Sequence, residues 1–195
     1  MSTSDIIVSP ATIWYAPVGE ALPNANSVGA GAAWGGNWLS LGYTLESITL
    51  TMETEQFDLT VEQLTVPVRT IRVATDIMLK TKLAEFTGTN LKLATDGTLT
   101  TTAPGPAQVG MTTVVVDATK TDVSLFAFGI EGVRVSDLNA RLPVRLFCPR
   151  ASMTLSGDVE FAKGAGVGIP ITIKALADSS TGTALTIHNV TAPHT

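Results

Sequence analysis

The sequence predicts a mainly β protein: a β-sandwich or barrel with one short α-helix and a long projecting loop or hairpin. Three observations predict it. Threonine occurs 29 times and, with Val and Ile, suits a pleated surface better than a helix. Apolar residues make up 45% of the chain and charged residues 15%, so the chain is ordered and much of its surface is Thr, Ser, Gly and apolar atoms. Surfaces so sparsely charged are often buried in part against partners. Finally, apolar and polar residues alternate with a period of two, longest in LTMETEQFDLTVE, residues 50–62. A chain of 195 residues supports one generous core, and no stretch reads as a linker, so residues 1–195 are expected to form a single domain.

The elements follow in order. ATIWYAPVG (11–19) reads as a short strand entering a turn, and ALPNANSVGAGAAWGGN (21–37) as a long surface loop rich in Gly, Ala and Asn. NWLSLGYT resumes a strand with Trp38 as a core anchor. The runs 47–62 and VPVRTIRVATDIMLKTKL (66–83) pair as an antiparallel hairpin across a turn near Gln63 to Thr65, with Leu50, Met52, Leu59, Val73, Ile77 and Leu79 buried. Apolar parity changes between Glu55 and Gln56, as an inserted residue in a bulge would make it. Sixteen residues at ~3.3 Å each span roughly 53 Å, against a compact diameter of roughly 42 Å. One end of the hairpin must therefore bend back or project. LAEFTGTNLKLAT (83–95) is the helical candidate, with Ala84, Gly88, Leu91 and Ala94 at helical spacing; 96–108 reads as a loop. MTTVVVDA, VSLFAFGIEGV, RLPVRLFCPR, ASMTLSGDVEFA and IPITIKALA complete a tally of about ten strands.

The parts needed for catalysis are scarce. The two histidines, His188 and His194, lie in the last eight residues, where chain ends fray. Cys148 sits in an apolar strand and reads as a small core residue, and one Cys with two tail His makes no zinc site. GAGVG (164–168) precedes a strand rather than a helix N-terminus, so it is a turn and not a phosphate loop. No cofactor or metal is expected. The start MSTSDIIVSP lacks a basic region, and no apolar run reaches membrane-spanning length, so no membrane association is expected and the chain is expected to fold in a reducing cytoplasm.

Charge is distributed unevenly within a net −5. Asp5, Glu20, Glu46, Glu53, Glu55, Asp58 and Glu62 all precede the first base, Arg69, whereas Arg134 to Lys174 is mainly basic. Such polarity suits head-to-tail contacts between copies. It also leaves no basic groove for gripping nucleic acid, since the longest ribbon carries carboxylates where phosphate contacts need Lys or Arg.

Several segments together resemble the major tail protein, or tail tube protein, of long non-contractile-tailed bacteriophages. They are IWYAPVGEALPNA with the following GGNWLSLGYTLESITLTME; the ribbon running into VPVRTIRVATDIMLKTKLAEFTGTNLKLAT; and FCPRASMTLSGDVEFAKGAGVGIPITIKALAD. The resemblance covers most of the chain. It implies a homo-oligomer of hexameric rings stacked into a tube, assembled in the bacterial cytoplasm and resident in the virion tail. Tape-measure, tail terminator and distal tail proteins would be its partners, and DNA would pass without specific binding. It also implies an inner β-barrel built from all subunits, and a loop reaching the neighbouring ring. Residues 55–68 or 24–37 are the candidates for that arm, giving Asn24, Gly29, Gly31, Trp34, Gln56, Gln63 and Leu64. Glu53, Glu55, Asp58 and Glu62 are the candidate lumen-facing acids, since carboxylates repel the duplex where bases would hold it. Two other functions fit the composition: a carbohydrate-binding or adhesive β-sandwich on a virion surface, using Trp34 and Trp38, and a hydrolase using paired acids such as Glu53 and Glu55.

Overall fold

The computed structural model describes residues 11–24, 28–60, 62, 66–106, 108–135, 141–161 and 166–191. Among these lie ten strands and one helix: β1 Thr12–Pro17, β2 Leu39–Ser40, β3 Thr49–Leu59, β4 Arg69–Leu83, α1 Gly88–Thr95, β5 Thr98–Thr102, β6 Met111–Val115, β7 Phe126–Val135, β8 Arg141–Leu155, β9 Ile169–Ala175 and β10 Thr186–Asn189. The mainly β expectation holds. One antiparallel sheet runs β2-β1-β7-β8-β9-β4-β3, with β10 added beside β8, and β5 and β6 form a separate ribbon.

Burial explains why the sheet curls. Ile13 of β1, Phe128 and Ile130 of β7, Met153 of β8, Ile171 and Ile173 of β9, and Leu79 and Leu83 of β4 belong to one apolar cluster, so strands well separated in the order meet across a shared core. β9 has the plain one-sided pattern, with Ile169, Ile171, Ile173 and Ala175 buried and Lys174 exposed. β1 is different because both its faces are covered. Ile13 enters the main core and Tyr15 packs against it, while Ala16 and Trp14 join a second cluster with Trp34, Trp38 and Ala127. Cys148 is buried in the main core as expected, and burial pushes its thiol up to about 12.

The helix starts later than its apolar spacing suggests. Thr87 caps it by accepting a hydrogen bond from the Asn90 amide at 3.2 Å. Its buried face is Asn90, Leu93 and Ala94, and Asn90 is accommodated because its side-chain amide donates to the carbonyls of Leu41 (3.0 Å) and Glu85 (2.9 Å). Asp96 ends the helix in the left-handed region with φ 53°.

Several expectations change. Residues 96–108 are not all loop: Thr98–Thr102 pairs with Met111–Val115, because a threonine run is good strand material once Pro104 and Gly105 supply a turn. RLPVRLFCPR and ASMTLSGDVEFA do not form two strands, since β8 runs unbroken across them. Pro149 and Arg150 stand opposite Ala127 alone, so the proline, which has no amide hydrogen, falls where a bulge already interrupts the ladder. NWLSLGYT yields only the two residues of β2 and a bridge at Thr44, because Gly42 at φ 84° turns the chain between them. β10 gives the region around His188 a partner where a frayed end was expected.

The pairing of β3 with β4 is antiparallel, as expected, with a register shift between Glu55 and Gln56. Ile77 and Leu79 are buried, whereas Leu50, Met52, Leu59 and Val73 are 39%, 63%, 46% and 65% exposed. The reason is that β9 pairs with β4 only from Met78 to Leu83, so the rest of the hairpin has lost its floor. Ile77→Ala should therefore cost about 2–5 kcal/mol, while Leu59→Ala should change the dispersed subunit by no more than about 0.5 kcal/mol; urea unfolding of both variants checks this.

Candidate functional site

Facing residues of two paired strands point to the same side, and neighbours along a strand point to opposite sides. The ladder pairs Leu50 with Leu79 and Met52 with Ile77, which defines the core-side face of the hairpin. On the other face Glu53 pairs with Asp76 and Glu55 with Ala74. Past the shift, Gln56 pairs with Arg72, Phe57 with Ile71 and Asp58 with Thr70. The extra residue is thus Val73 on β4, not a residue of β3 as the sequence pattern suggested. β3 continues its alternation undisturbed, so the two faces exchange character at the bulge. Near the body, the core side is apolar, and the far side carries the acids Glu53, Glu55 and Asp76 with Lys80 and Lys174 inward of them. Toward the tip, the core side carries Gln56, Asp58 and Arg72, and the far side carries Phe57, Leu59 and Ile71 with Arg69 at its end.

The four acids are therefore not displayed together. Glu53 and Glu55 share the far face with Asp76, which forms a 3.0 Å ion pair with Lys174. Asp58 lies on the core-side face and accepts a 2.6 Å hydrogen bond from the Thr70 hydroxyl. Glu62 is exposed in the connection between the strands, and Gln63 and Leu64 lie outside the described residues. Among the described residues, β3 hydrogen-bonds with no strand but β4, and β4 from Arg69 to Ile77 with none but β3. Among the described residues, the hairpin thus carries two unpaired backbone edges and apolar side chains on both faces.

The other candidate arm is held by its own chain. Glu131 of β7 faces Arg145 of β8, and their side chains form an ion pair of 2.6 Å with exposures of 3% and 1%. Glu131 also accepts from the Gly31 amide (2.7 Å) and the Trp34 indole (3.2 Å). Arg145 donates to the carbonyls of Pro23 (3.1 Å) and Val28 (2.7 Å), and its guanidinium lies over the Trp34 ring at 5.5 Å. Trp34 is buried, stacked on Trp14 and edge-on to Trp38. The Gly-rich segment read as a long surface loop is fixed to its own chain, with Gly31 and Trp34 anchored on Glu131. Gly29 and Asn24 are exposed, though Asn24 accepts from the Val28 amide at 3.0 Å. Gly129 makes room for this arrangement, since a Cβ there would collide with the Trp34 ring.

Glu131 and Arg145 escaped the sequence reading. Each interrupts an apolar strand at a buried position, which is a readable signal, but only the register of β7 on β8 says that they meet.

Chemistry is sparse elsewhere. Among the described residues no group of three or more His, Cys, Asp or Glu is placed to hold a metal, and no helix is long and apolar enough to cross a membrane. A cleft of about 420 Å³ is lined by Trp14, Ser40, Tyr43, Thr44 and Glu85 among others, and Glu85 is its one carboxylate.

Removing one member of the buried pair leaves the other charge unpaired, so Glu131→Gln or Arg145→Met should each cost about 3–5 kcal/mol. Combining Glu131→Gln with Arg145→Met should cost clearly less than the sum of those single losses, as read by a double-mutant cycle on urea unfolding.

No curated protein matches the chain. A family model described as phage tail tube protein matches residues 1–194. A β-rich body that carries an uncovered hairpin accords with that match, and the chain belongs to the phage tail tube protein family, structural components of the virion tail.

Proposed function

We propose that this subunit builds its tube by pairing β3–β4 hairpins edge to edge around a closed, hexameric ring, with rings stacking into a channel through which DNA leaves the capsid. The observation that carries the reading is the hairpin with two unpaired edges. An edge of eleven residues invites pairing with another chain, and a head-to-tail contact whose rotation closes leaves no edge over. Residues 1–195 act as one domain in this arrangement. Tape-measure, terminator and distal tail proteins meet the tube's interior and ends, and the subunit assembles in the bacterial cytoplasm.

With the bodies outside, the face turned away from the core lines the channel. Between the body and the bulge that face carries Glu53, Glu55 and Asp76, with Lys174 paired to Asp76 and with Lys80 and Lys82 at its inner end, so the stretch of wall formed by the free hairpin is acidic. DNA then slides, because over the free hairpin the carboxylates face it, and Lys174, the base nearest them, is already paired with Asp76 and does not replace its condensed counterions. Asp58 belongs to the opposite face. Beyond the bulge the far face is mostly apolar, with Phe57, Leu59 and Ile71 beside a single Arg69, so the tip leaves the wall and packs on the neighbouring ring, which makes residues 56–72 the reaching element in preference to the anchored loop 24–37. An adhesive function would need Trp34 and Trp38 at the surface, and both are buried.

Electron microscopy of the concentrated, purified chain should reveal rings or tubes; persistent dispersed monomer would overturn the reading. Ala74→Lys places a cation opposite Glu55 on the proposed channel face and should slow DNA ejection from intact particles, increasingly as ionic strength falls. Ala74→Gln should not. Equal ejection by both variants in low salt would remove the acids from the channel.

A further inference from the structure

The two unpaired edges of the hairpin differ in charge. All charged residues of β3 are acids: Glu53, Glu55 and Asp58. Over its unpaired stretch, β4 carries Arg69, Arg72 and Asp76, and the last is already matched by Lys174 at 3.0 Å. One edge is therefore acidic and the other basic.

We infer that this polarity selects head-to-tail pairing between copies and rejects two-fold pairing of like edges. The inference rests on the edge-to-edge ring proposed above and deepens it by naming what chooses the partner's edge. Backbone hydrogen bonding alone does not choose, since a free edge accepts any other strand in either direction. Three arrangements of two copies are open. Joining β3 to β3 sets acids beside acids, and joining β4 to β4 sets Arg69 and Arg72 beside their own duplicates. Both place like charges across a strand pair, which is destabilising. Joining β3 of one copy to β4 of the next sets Glu53, Glu55 and Asp58 alongside Arg69 and Arg72. Only this third contact uses each edge once and leaves an acidic and a basic edge free at the ends of the growing arc, so it continues until the arc closes. The like-edge contacts stop at dimers joined on the wrong surface. The unlike charges thus act chiefly by excluding the wrong contact.

The test reverses one edge at a time in the full chain, in the absence of DNA. Glu53→Lys with Glu55→Lys makes both edges basic, and Arg69→Glu with Arg72→Glu makes both acidic. These positions are exposed, so each variant should fold, which circular dichroism and thermal melting verify. Each reversal should raise the protein concentration needed for rings by at least about tenfold. The chain carrying all four substitutions should recover assembly close to wild type. A mixture of wild type with the Glu53→Lys, Glu55→Lys chain decides the geometry: head-to-tail pairing predicts impaired co-assembly, whereas pairing of like edges predicts dimers of one copy of each. Rings formed equally well by the single-edge reversals, or no recovery in the fourfold variant, would overturn the inference while leaving the ring itself in place. Absence of rings from wild type would instead overturn the ring, and this inference with it.

Discussion

The body of this subunit is organised by one buried ion pair. Glu131 and Arg145 face each other across β7 and β8 and use their remaining hydrogen-bonding capacity on the loop between β1 and β2. Burying two charges is expensive, and the cost is offset only when their other donors and acceptors are satisfied as well. Here Gly31, Trp34, Pro23 and Val28 supply those partners, so the pair and the loop require one another. The loop in turn brings Trp34 over Gly129 and against Trp14 and Trp38, which covers the second face of β1. A segment whose composition suggests mobility thereby becomes part of the rigid frame.

With the loop committed to the body, the hairpin is the element left without cover. The division falls at Ile77, the last residue of β4 toward the tip that the core buries. Beyond it Val73 enters as an extra residue, and the faces exchange polarity. The chain's low charge content makes sense in this light. Exposed Met52, Phe57, Ile71 and Val73 would be a liability on a solitary protein but are ordinary on a subunit whose surface becomes an interior.

Much of this was legible in the sequence. Period-two alternation located the strands, the parity change marked the bulge between Glu55 and Gln56, and the arithmetic of length required the hairpin to project or bend. Quantities set by pairing were not legible. Parity along β3 cannot say which strand holds the extra residue, and so could not separate Asp58 from Glu53 and Glu55. Local composition misled where tertiary contacts decide: the Gly-rich loop is fixed by charges more than 90 residues away in sequence, and the threonine run at 98–102 is a strand because β6 lies beside it. Leu50 and Met52 obey the pattern of a core strand and lie beside buried Leu79 and Ile77, yet stay largely exposed, because the periodicity records a face destined for burial without recording whose.

The continuity of β4 has a mechanical consequence. The strand passes without a break from the tip of the hairpin into the core, where Met78 to Leu83 are bonded to β9. A pull along the hairpin reaches that inner ladder parallel to the strands and across the direction of its hydrogen bonds. The six paired positions then share the load at once, in shear, instead of parting one after another like a zip. Tension applied at the outermost residues is carried by the best-packed part of the molecule, so stretching must break the core before it frees the hairpin.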